Sequence, residues 1–320
     1  MAGTSLQNNG DVQIGSDSGA YLACPGTKTG FDPKSYARAL DFNPWIWPDL
    51  LTDDTPLWHR SGMRPGADIP TGRRIQFSVE VHDTSYGALS YKMGLLMGAA
   101  RPVMNPGEEQ ELAFMYGGVK YVLYGRYREV DVQDVSRAGM RTLRVRISFF
   151  ATDPVFYECV PQTATIPMFE FSMSGWENPA NVATNINTVR SGISPPDIII
   201  SGDAPPRYVL QIKGPARNPV FMNCTDYQWM WLALPGGHTI ASSLSNYVTN
   251  YVRTITNSSG AQIGHTHAFP SHWIELQPGP IGGNKLALAV NVTFTGSASM
   301  PGGLPIAGTL QWQRGWWMLS

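Results

Sequence analysis

The chain has 320 residues and a mass of 35.1 kDa, which is enough for two domains because a single core usually stops growing at about 250–300 residues. Only 15% of the residues are charged, the formal net charge is -1, and 42% are hydrophobic, with ten tryptophans. These values exclude a disordered chain, and the lack of a basic excess argues against a nucleic-acid binder. A surface so poor in charge is expected either of a protein covered by neighbouring subunits or of a weakly charged all-β protein.

Residues 1–30 are polar and rich in Gly, Ser and Asn, so we expect an extended N-terminal segment. They contain no charged region followed by an apolar run, so no secretory signal is predicted. Cys24, Cys159 and Cys224 are odd in number and unclustered. Buried thiols in a chain that is synthesised in a reducing cytoplasm fit them better than a disulfide framework or a zinc site.

Residues 41–60 are the densest aromatic stretch of the first half. The apolar side chains are Phe42, Trp45, Trp47, Leu50, Leu51, Leu57 and Trp58. Three prolines interrupt them, so we expect an irregular loop that docks either on its own domain or on a neighbouring molecule. The second alternative places Trp45, Trp47 and Trp58 at a contact with a neighbouring subunit or another molecule.

The next segment has the period of a strand and then that of a helix. From Arg74 to Val81 apolar and polar residues alternate, which predicts a strand with one buried face. A helix is predicted over Gly87–Ala100, because apolar residues recur at helical spacing and Arg101-Pro102 ends the pattern. Those residues are Leu89, Met93, Leu96 and Ala100.

Residues 119–152 predict a long antiparallel hairpin, with strands Val119–Gln133 and Met140–Thr152. Apolar and polar residues alternate in the second strand, and Pro154, which cannot donate to a ladder, ends it. The wet face of the hairpin is strongly basic, with Arg126, Arg128, Arg144 and Arg146. We expect these arginines to form a subunit contact with acidic residues of the 41–60 loop of a neighbouring copy.

Two motifs mark this hairpin. The first strand carries Gly-Arg-x-Arg-x-Val from Gly125, and the second runs Phe-x-Ala-x-Asp-Pro-x-x-Tyr from Phe149 to Tyr157. In this order they resemble the distal tail proteins of long-tailed bacteriophages. The resemblance implies a virion structural protein that forms a homohexameric ring at the tail tip, with its first domains as a belt. It also implies contacts with the tail tube protein, tail hub and tip proteins and the tape measure.

After residue 158 lysine and arginine become sparse, and short strand-like segments recur between Gly, Pro and Asn turns. They are Met168–Met173, Asp197–Ser201, Tyr208–Lys213, Val220–Asn223, Gln228–Ala233, Tyr247–Ile255, Trp273–Leu276, Leu286–Phe294 and Leu310–Trp316. The spacing predicts a β-sandwich. The predicted fold is therefore mainly β, with an α+β belt domain over residues 1–158 and a sandwich over residues 159–320.

The family resemblance extends into this second half. Four segments match its pattern in order: Pro196–Gly202, Asn218-Pro219, Gly237–Ile240 and Ser271–Gly279. The chain departs from the pattern after Ile240, where Ala241-Ser242-Ser243 follows. The resemblance covers about residues 70–320, and it implies a galectin-like sandwich.

Tryptophans of the second half leave two hypotheses open. Galectin-like folds bind sugars by stacking a tryptophan on the ring, and Trp229, Trp273 and Trp312 are the candidates here, with His238 or His272 to assist. Alternatively, Trp231 and Trp273 point inward and fill the core. The first hypothesis would make the chain a carbohydrate-binding module of a host-adsorption device, with cell-wall carbohydrate as partner.

We predict no enzymatic activity, no metal site and no cofactor. His265, His267 and His272 are close in sequence but lack the ligand pattern of a metal site. No phosphate-binding loop, dinucleotide fingerprint or nucleophile elbow is present, and carboxylates are scarce after residue 160. The preferred hypothesis is a distal tail protein in the virion, and the carbohydrate-binding module is the alternative.

Overall fold

A computed structural model describes residues 3, 5–16, 19, 21–25, 34–52, 54–56, 63–64, 68–133, 141–171, 197–213, 216–217, 219–226, 228–231, 239–240, 245–250, 253–261, 273–278, 284–291 and 307–317. The chain divides into two compact units. The first comprises Met1–Val160 and Trp316–Ser320, and the second Pro161–Gly315. The fold is mainly β, as predicted from the sequence.

In its described residues the first unit is built on antiparallel strands and a helix. The strands are β1 (Val12–Gly15), β2 (Tyr21–Cys24), β3 (Tyr36–Leu40), β4 (Asp49–Thr52), β5 (Thr55–Pro56), β6 (Met63–Arg64), β7 (Asp68–His82), β8 (Gln110–Tyr116), β9 (Val119–Val132), β10 (Thr142–Ala151) and β11 (Phe156–Glu158). They pair in the order β2-β1-β8-β9-β10-β7. Strands β3 and β4 pair with the two ends of β7 along its other edge, and β11 pairs with β9.

Helix α1 (Tyr86–Ala99) confirms the helix prediction to within one residue at each end. It begins after Ser85, whose hydroxyl oxygen accepts a hydrogen bond from the Ala88 N–H and so satisfies one of the free donors of the first turn. Leu89, Leu96 and Ala99 are buried in the core of the unit. The same core takes the alternate residues of β7, from Ile75 to Val81, and of β10.

The predicted long hairpin is confirmed by the antiparallel pairing of β9 with β10. The register shifts between Ser148 and Phe149, which leaves Arg128 of β9 as the extra residue of a bulge. At Gly125 a side chain would collide with the carbonyl of Phe150, because the two backbones approach closely there. The glycine of the Gly-Arg-x-Arg motif is therefore a packing requirement of the hairpin.

The described part of residues 1–30 contains two strands, where the composition predicts an extended segment. Strands β1 and β2 form a hairpin in the sheet, and β1 is buried between β2 and β8. Polar side chains are buried here: the Asp11 carboxylate accepts the N–H groups of Gln7 and Asn8, and Ser5 donates to Gln13. Because these buried polar residues are paired, the segment lacks the apolar alternation by which a strand is recognised in a sequence.

In its described residues the second unit is built entirely on strands. They are β12 (Gln162–Phe171), β13 (Asp197–Ile198), β14 (Ala204–Lys213), β15 (Ala216–Arg217), β16 (Val220–Asn223), β17 (Gln228–Trp231), β18 (Thr239–Ile240), β19 (Ser245–Thr249), β20 (Thr254–Asn257), β21 (Asn284–Asn291) and β22 (Ala307–Trp316). One sheet has the order β20-β19-β14-β22-β12, and the other has β21-β16-β17. Strand β12 joins them, since its first part pairs with β22 and its second part runs parallel to β21.

Two of the predicted strands of this unit need correction. The segment Tyr247–Ile255 is a hairpin of β19 and β20, with Arg253 in the left-handed region at φ 48°. Trp273–Leu276 forms no strand, although Ile274 and Leu276 are buried. Side-chain hydrogen bonds hold it in place instead: the Tyr208 hydroxyl donates to the Ile274 carbonyl oxygen, and the neighbouring residue 277 is bonded through both its backbone groups to Asn284.

The predicted buried thiols are observed at Cys24 and Cys159, while Cys224 is partly exposed, and none of the three forms a disulfide. Burial raises the pKa of the Cys24 thiol to about 12. That thiol is therefore protonated and unreactive at neutral pH.

Asp83 ties the start of α1 to the segment before β3. Its carboxylate accepts a hydrogen bond of 2.7 Å from the Ser35 hydroxyl and lies 3.0 Å from the Lys92 ammonium. The hydrogen bond from Ser35 and then that from Lys92 hold the pKa of this carboxyl well below its ordinary value. A lowered folded-state pKa contributes stability above the unfolded pKa, and that stability is lost as the pH falls.

Asp83→Asn should therefore lower the free energy of unfolding at pH 7 and flatten its dependence on pH below about pH 4, the pKa of an unfolded aspartate. The measurement is urea unfolding at several pH values between 7 and 2. Asp68→Asn removes an exposed carboxylate and is the matched control. An acid response of Asp83→Asn identical to that of the unmodified chain would contradict the assignment.

Candidate functional site

The four arginines of the predicted basic face have partners within their own chain. Arg144 lies 3.5 Å from the Asp41 carboxylate, and Arg146 donates to the Gln76 side chain. Arg126 donates to two loop carbonyls, those of residues 105 and 108, and Arg128 lies over the ring of Phe150 at 5.8 Å. These arginines therefore hold their own sheet and its loops within the single chain, and their contact with acidic residues of a neighbouring copy stays a prediction.

The face itself carries both signs of charge. Arg144 lies opposite Glu80 of β7, and Arg146 lies opposite Asp131 of β9. Cross-strand neighbours of opposite charge stabilise a sheet modestly and offset each other's field. The sequence prediction of a strongly basic face considered the hairpin alone, and the neighbouring strand β7 changes the result.

The aromatic residues of the 41–60 stretch separate into an inner and an outer group. Trp45 packs against the core of the first unit, and its ring makes an edge contact with Tyr116 at a centroid distance of 4.7 Å. Trp47 is 68% exposed. Trp58 lies outside the described residues. Of the two predicted contact tryptophans that the structure describes, Trp47 is therefore the one exposed to solvent.

The stretch that was predicted as an irregular loop contains two strands. Strand β4 pairs with the first residues of β7, so that Leu50 lies opposite Pro70 and Leu51 opposite Ile69. Strands β5 and β6 pair farther along the same hairpin. In the described residues β10 reaches β7 only from Arg73 onward, so this part of β7 has β4 as its one partner. We call residues 46–52 and 68–72 the apolar arm.

Large apolar side chains of the apolar arm are exposed. Leu50 is 52%, Leu51 60% and Ile69 53% exposed, and Ile46 is exposed beside Trp47. Adjacent residues of a strand point to opposite faces, so Leu50 and Leu51 expose apolar surface on both sides of the ribbon. A two-stranded ribbon is at best marginally stable in water by itself. Contiguous exposed apolar side chains of this kind mark interaction sites.

The base of the apolar arm is fixed by a buried arginine. Arg73 is in phase with Ile75 and Phe77 and points into the unit, where its guanidinium donates 3.0 Å hydrogen bonds to the carbonyls of Pro44 and Trp317. It also lies 4.1 Å over the ring of Phe156. Burial lowers the pKa of this guanidinium to about 10, so it remains charged at neutral pH.

Two further contacts set the direction in which the apolar arm leaves the sheet. The Thr71 hydroxyl donates to the carbonyl of Asp49, across the ribbon. At Gly72 a side chain would collide with the ring of Phe150, so the ribbon passes directly beside β10. The arm is thus anchored at its base and uncovered beyond it.

The candidate sugar-stacking tryptophans lie in different environments. Trp312 is 5% exposed and belongs to the core of the second unit, so its ring offers no face for stacking, which corrects the prediction at this position. Trp273 is half-buried against the same core. The side chain of Trp229 lies outside the described residues, as do His238, His265, His267 and His272.

Within the described part of the chain, no group of three or more His, Cys, Asp and Glu side chains is placed to hold a metal ion. The helix that the structure describes is too short to cross a membrane. The residues that sequence reasoning missed are Arg73 and Ile69. Both continue the alternation of the predicted strand Arg74–Val81 toward the N-terminus, which was the available signal.

No family model and no curated protein sequence matches the chain significantly. Its fold is similar to that of solved phage proteins. The SPP1 Dit protein, described as a paradigm of the hub adsorption apparatus in phages that infect Gram-positive bacteria, matches with a TM-score of 0.52 and 12% identity, over 88% of this chain and 93% of that chain. A chain of the phage P2 baseplate in its activated, Ca-containing conformation matches with a TM-score of 0.52 and 11% identity, over 95% of this chain and 97% of that chain. The Sr-containing form of that baseplate gives the same values.

Arg73→Met should lower the free energy of unfolding, because it leaves the carbonyls of Pro44 and Trp317 without a donor at about 1–3 kcal/mol for each group. Arg74→Met is the matched control, since Arg74 is exposed on the same strand and a surface change costs within about 0.5 kcal/mol. Urea unfolding of the two variants provides the comparison. Equal stability of Arg73→Met and Arg74→Met would contradict the anchoring role.

Proposed function

We propose that the protein is a structural component of a phage tail tip, a distal tail protein that assembles into a homo-oligomeric ring. By its resemblance to that family the ring contains six copies and joins the tail tube to the host-recognition apparatus. Its role is structural and not enzymatic. Its partners are further copies of itself, the tail tube protein, the tail hub and tip proteins and the tape measure. It is synthesised in the bacterial cytoplasm and resides in the virion.

Two observations support this proposal. The fold is shared, over nearly the whole length of both chains, with Dit and baseplate proteins of phages. The order of the hairpin motifs in the sequence points to the same family independently of the fold. Fold similarity at 11–12% identity does not transfer a function, so the proposal depends on a surface of this chain that suits the role.

The apolar arm is that surface and the observation that carries the proposal. Trp47, Leu51 and Ile69 are more than half exposed, and they project on a ribbon whose base is anchored. Subunit interfaces have apolar, aromatic cores in which a few large side chains contribute most of the binding free energy. Burial of each such side chain contributes about 1.5–3 kcal/mol, so this cluster can sustain a stable contact between copies.

Replacing Trp47 and Leu51 by serine should weaken ring assembly by about a hundredfold or more in concentration, because at least about 3 kcal/mol of apolar burial is lost at each contact. The fold should survive, since both side chains are exposed in the single chain. Mass photometry across a dilution series measures the midpoint of assembly.

Ile199→Ser is the control for that experiment. Ile199 is 59% exposed, as Leu51 is 60% exposed, but it belongs to the second unit. The control should assemble like the unmodified protein. Rings that persist at unchanged concentration in the Trp47, Leu51 double variant, or an unmodified protein that remains monomeric, would refute the proposal.

A second candidate function is carbohydrate binding by the second unit, and Trp273 is the observation in its favour. Trp273 is half-buried and Glu275, two residues later, is exposed. Arg253 lies 4.0 Å from the Glu275 carboxylate. An aromatic ring beside charged hydrogen-bonding groups is the usual composition of a sugar site.

On this second hypothesis Trp273→Ala should reduce binding to cell-wall glycans about tenfold, since loss of an aromatic stacking contact costs about 0.5–1.5 kcal/mol. A glycan array followed by calorimetry on any hit gives the measurement. Trp47→Ala makes the same chemical change in the first unit and serves as control. Binding that is absent from the unmodified protein, or equal in both variants, would remove this function.

A further inference from the structure

The outer face of α1 is uncovered and nearly free of charge. Tyr86, Tyr91 and Met97 are exposed on it, and Met104 lies exposed beyond the helix end. Lys92 is the one charged residue of α1, and its ammonium is held by Asp83. A helix that faces water normally carries charged residues opposite its buried stripe. The composition of α1 is therefore that of a helix covered on both sides.

The form of this face suits a protein partner. Gly87, Ser90 and Gly94 lie exposed between the tyrosines and Met97, and a side chain built at either glycine would meet nothing within 4 Å. Tyrosine and methionine are enriched in subunit interfaces, and methionine adapts its shape to a partner. We call the exposed residues 86, 87, 90, 91, 94 and 97 the helix face.

We propose that the helix face of one copy receives the apolar arm of the next copy. This inference rests on the proposed ring and specifies which two surfaces make its contact. Within a single chain both surfaces remain exposed, so the chain does not bury one against the other. A contact between two different surfaces is heterologous, and such contacts are the ones that generate rings.

Charge favours this pairing over a contact between two arms or between two helix faces. The apolar arm carries the exposed carboxylates of Asp49 and Asp68. The helix face is flanked by two exposed arginines: the Arg141 guanidinium lies 5.5 Å from the Tyr86 ring, and Arg101 follows the other end. Two arms would bring like charges together, whereas an arm on a helix face brings opposite charges together, which selects the partner and its register.

Photo-crosslinking tests this contact in the full-length protein. A benzophenone amino acid replaces Leu51, and unlabelled chains are mixed with isotope-labelled chains before illumination. The expected product is a cross-link between chains that joins position 51 to a peptide containing residues 86–101. A second probe at Trp47 covers the case in which the side chain at position 51 points away from the neighbouring copy. A probe at Ile199 is the negative control.

Charge reversal supplies an independent readout. Arg101→Glu should weaken assembly, and Asp49→Lys in the same chain should restore part of it if the two residues meet across the contact. Tyr91→Glu should abolish the cross-link while Ile199→Glu, at an exposed residue of the second unit, leaves it intact.

The outcomes separate this inference from the proposed function. Rings that form normally but cross-link position 51 to a different surface, or only within one chain, would overturn the arm–helix contact and leave the ring proposal standing. An unmodified protein that forms no oligomer would overturn both. A cross-link between chains that maps to the helix face and is lost in Tyr91→Glu supports both.

Discussion

Strand β7 is the constraint on which the first unit depends. From Arg73 to His82 it is paired along its whole length with β10, and β3 covers part of its other edge. Toward its N-terminus the same strand continues without β10 and becomes one half of the apolar arm. Alternate side chains of β7 supply the core against which α1 packs. One continuous strand therefore links the core, the helix and the apolar arm. The direction of the arm is thus set by the part of β7 that is paired with β10.

At the point where β7 leaves the core and enters the apolar arm, a charged residue occupies a position that is apolar elsewhere in the alternation of the strand. Arg73 occupies the buried face in phase with Ile75, and its Nε is buried without a hydrogen-bond partner among the described residues. Burying a guanidinium is costly, and two neutral carbonyl acceptors with one aromatic ring offset that cost only in part. Removing the guanidinium costs stability all the same, because the carbonyls of Pro44 and Trp317 would lose their donor. Its hydrogen bonds are also directional, and they bind the segment at Pro44 and the segment at Trp317 to the same point of β7.

Sequence reasoning succeeded where an element has one buried and one exposed face. Helix α1 and the β9–β10 hairpin have that form, and their periods predicted them to within a few residues. It failed at β1, where buried polar residues such as Asp11 are paired and give no apolar pattern. It also failed at the arm, because Leu50 and Leu51 are exposed on opposite faces and leave no alternation to detect. The hydrogen-bond partners of Arg73 could not be predicted from the sequence, because the Trp317 carbonyl lies 244 residues away in the chain.

A ring made by heterologous contacts places a demand on the arm that a twofold dimer does not. Each copy must be rotated from its neighbour by the same angle, or the assembly continues as an open filament instead of closing. If the arm of one copy seats on α1 of the next, that angle depends on the direction in which the arm leaves its own sheet. This direction is set at Gly72, which passes beside Phe150, and at Arg73, whose two hydrogen bonds are geometrically demanding. An apolar residue at position 73 could fill the same space, but it would fix the angle less firmly. On the proposed function, the buried arginine is retained because a closed ring requires a defined angle, which directional hydrogen bonds fix more firmly than apolar packing does.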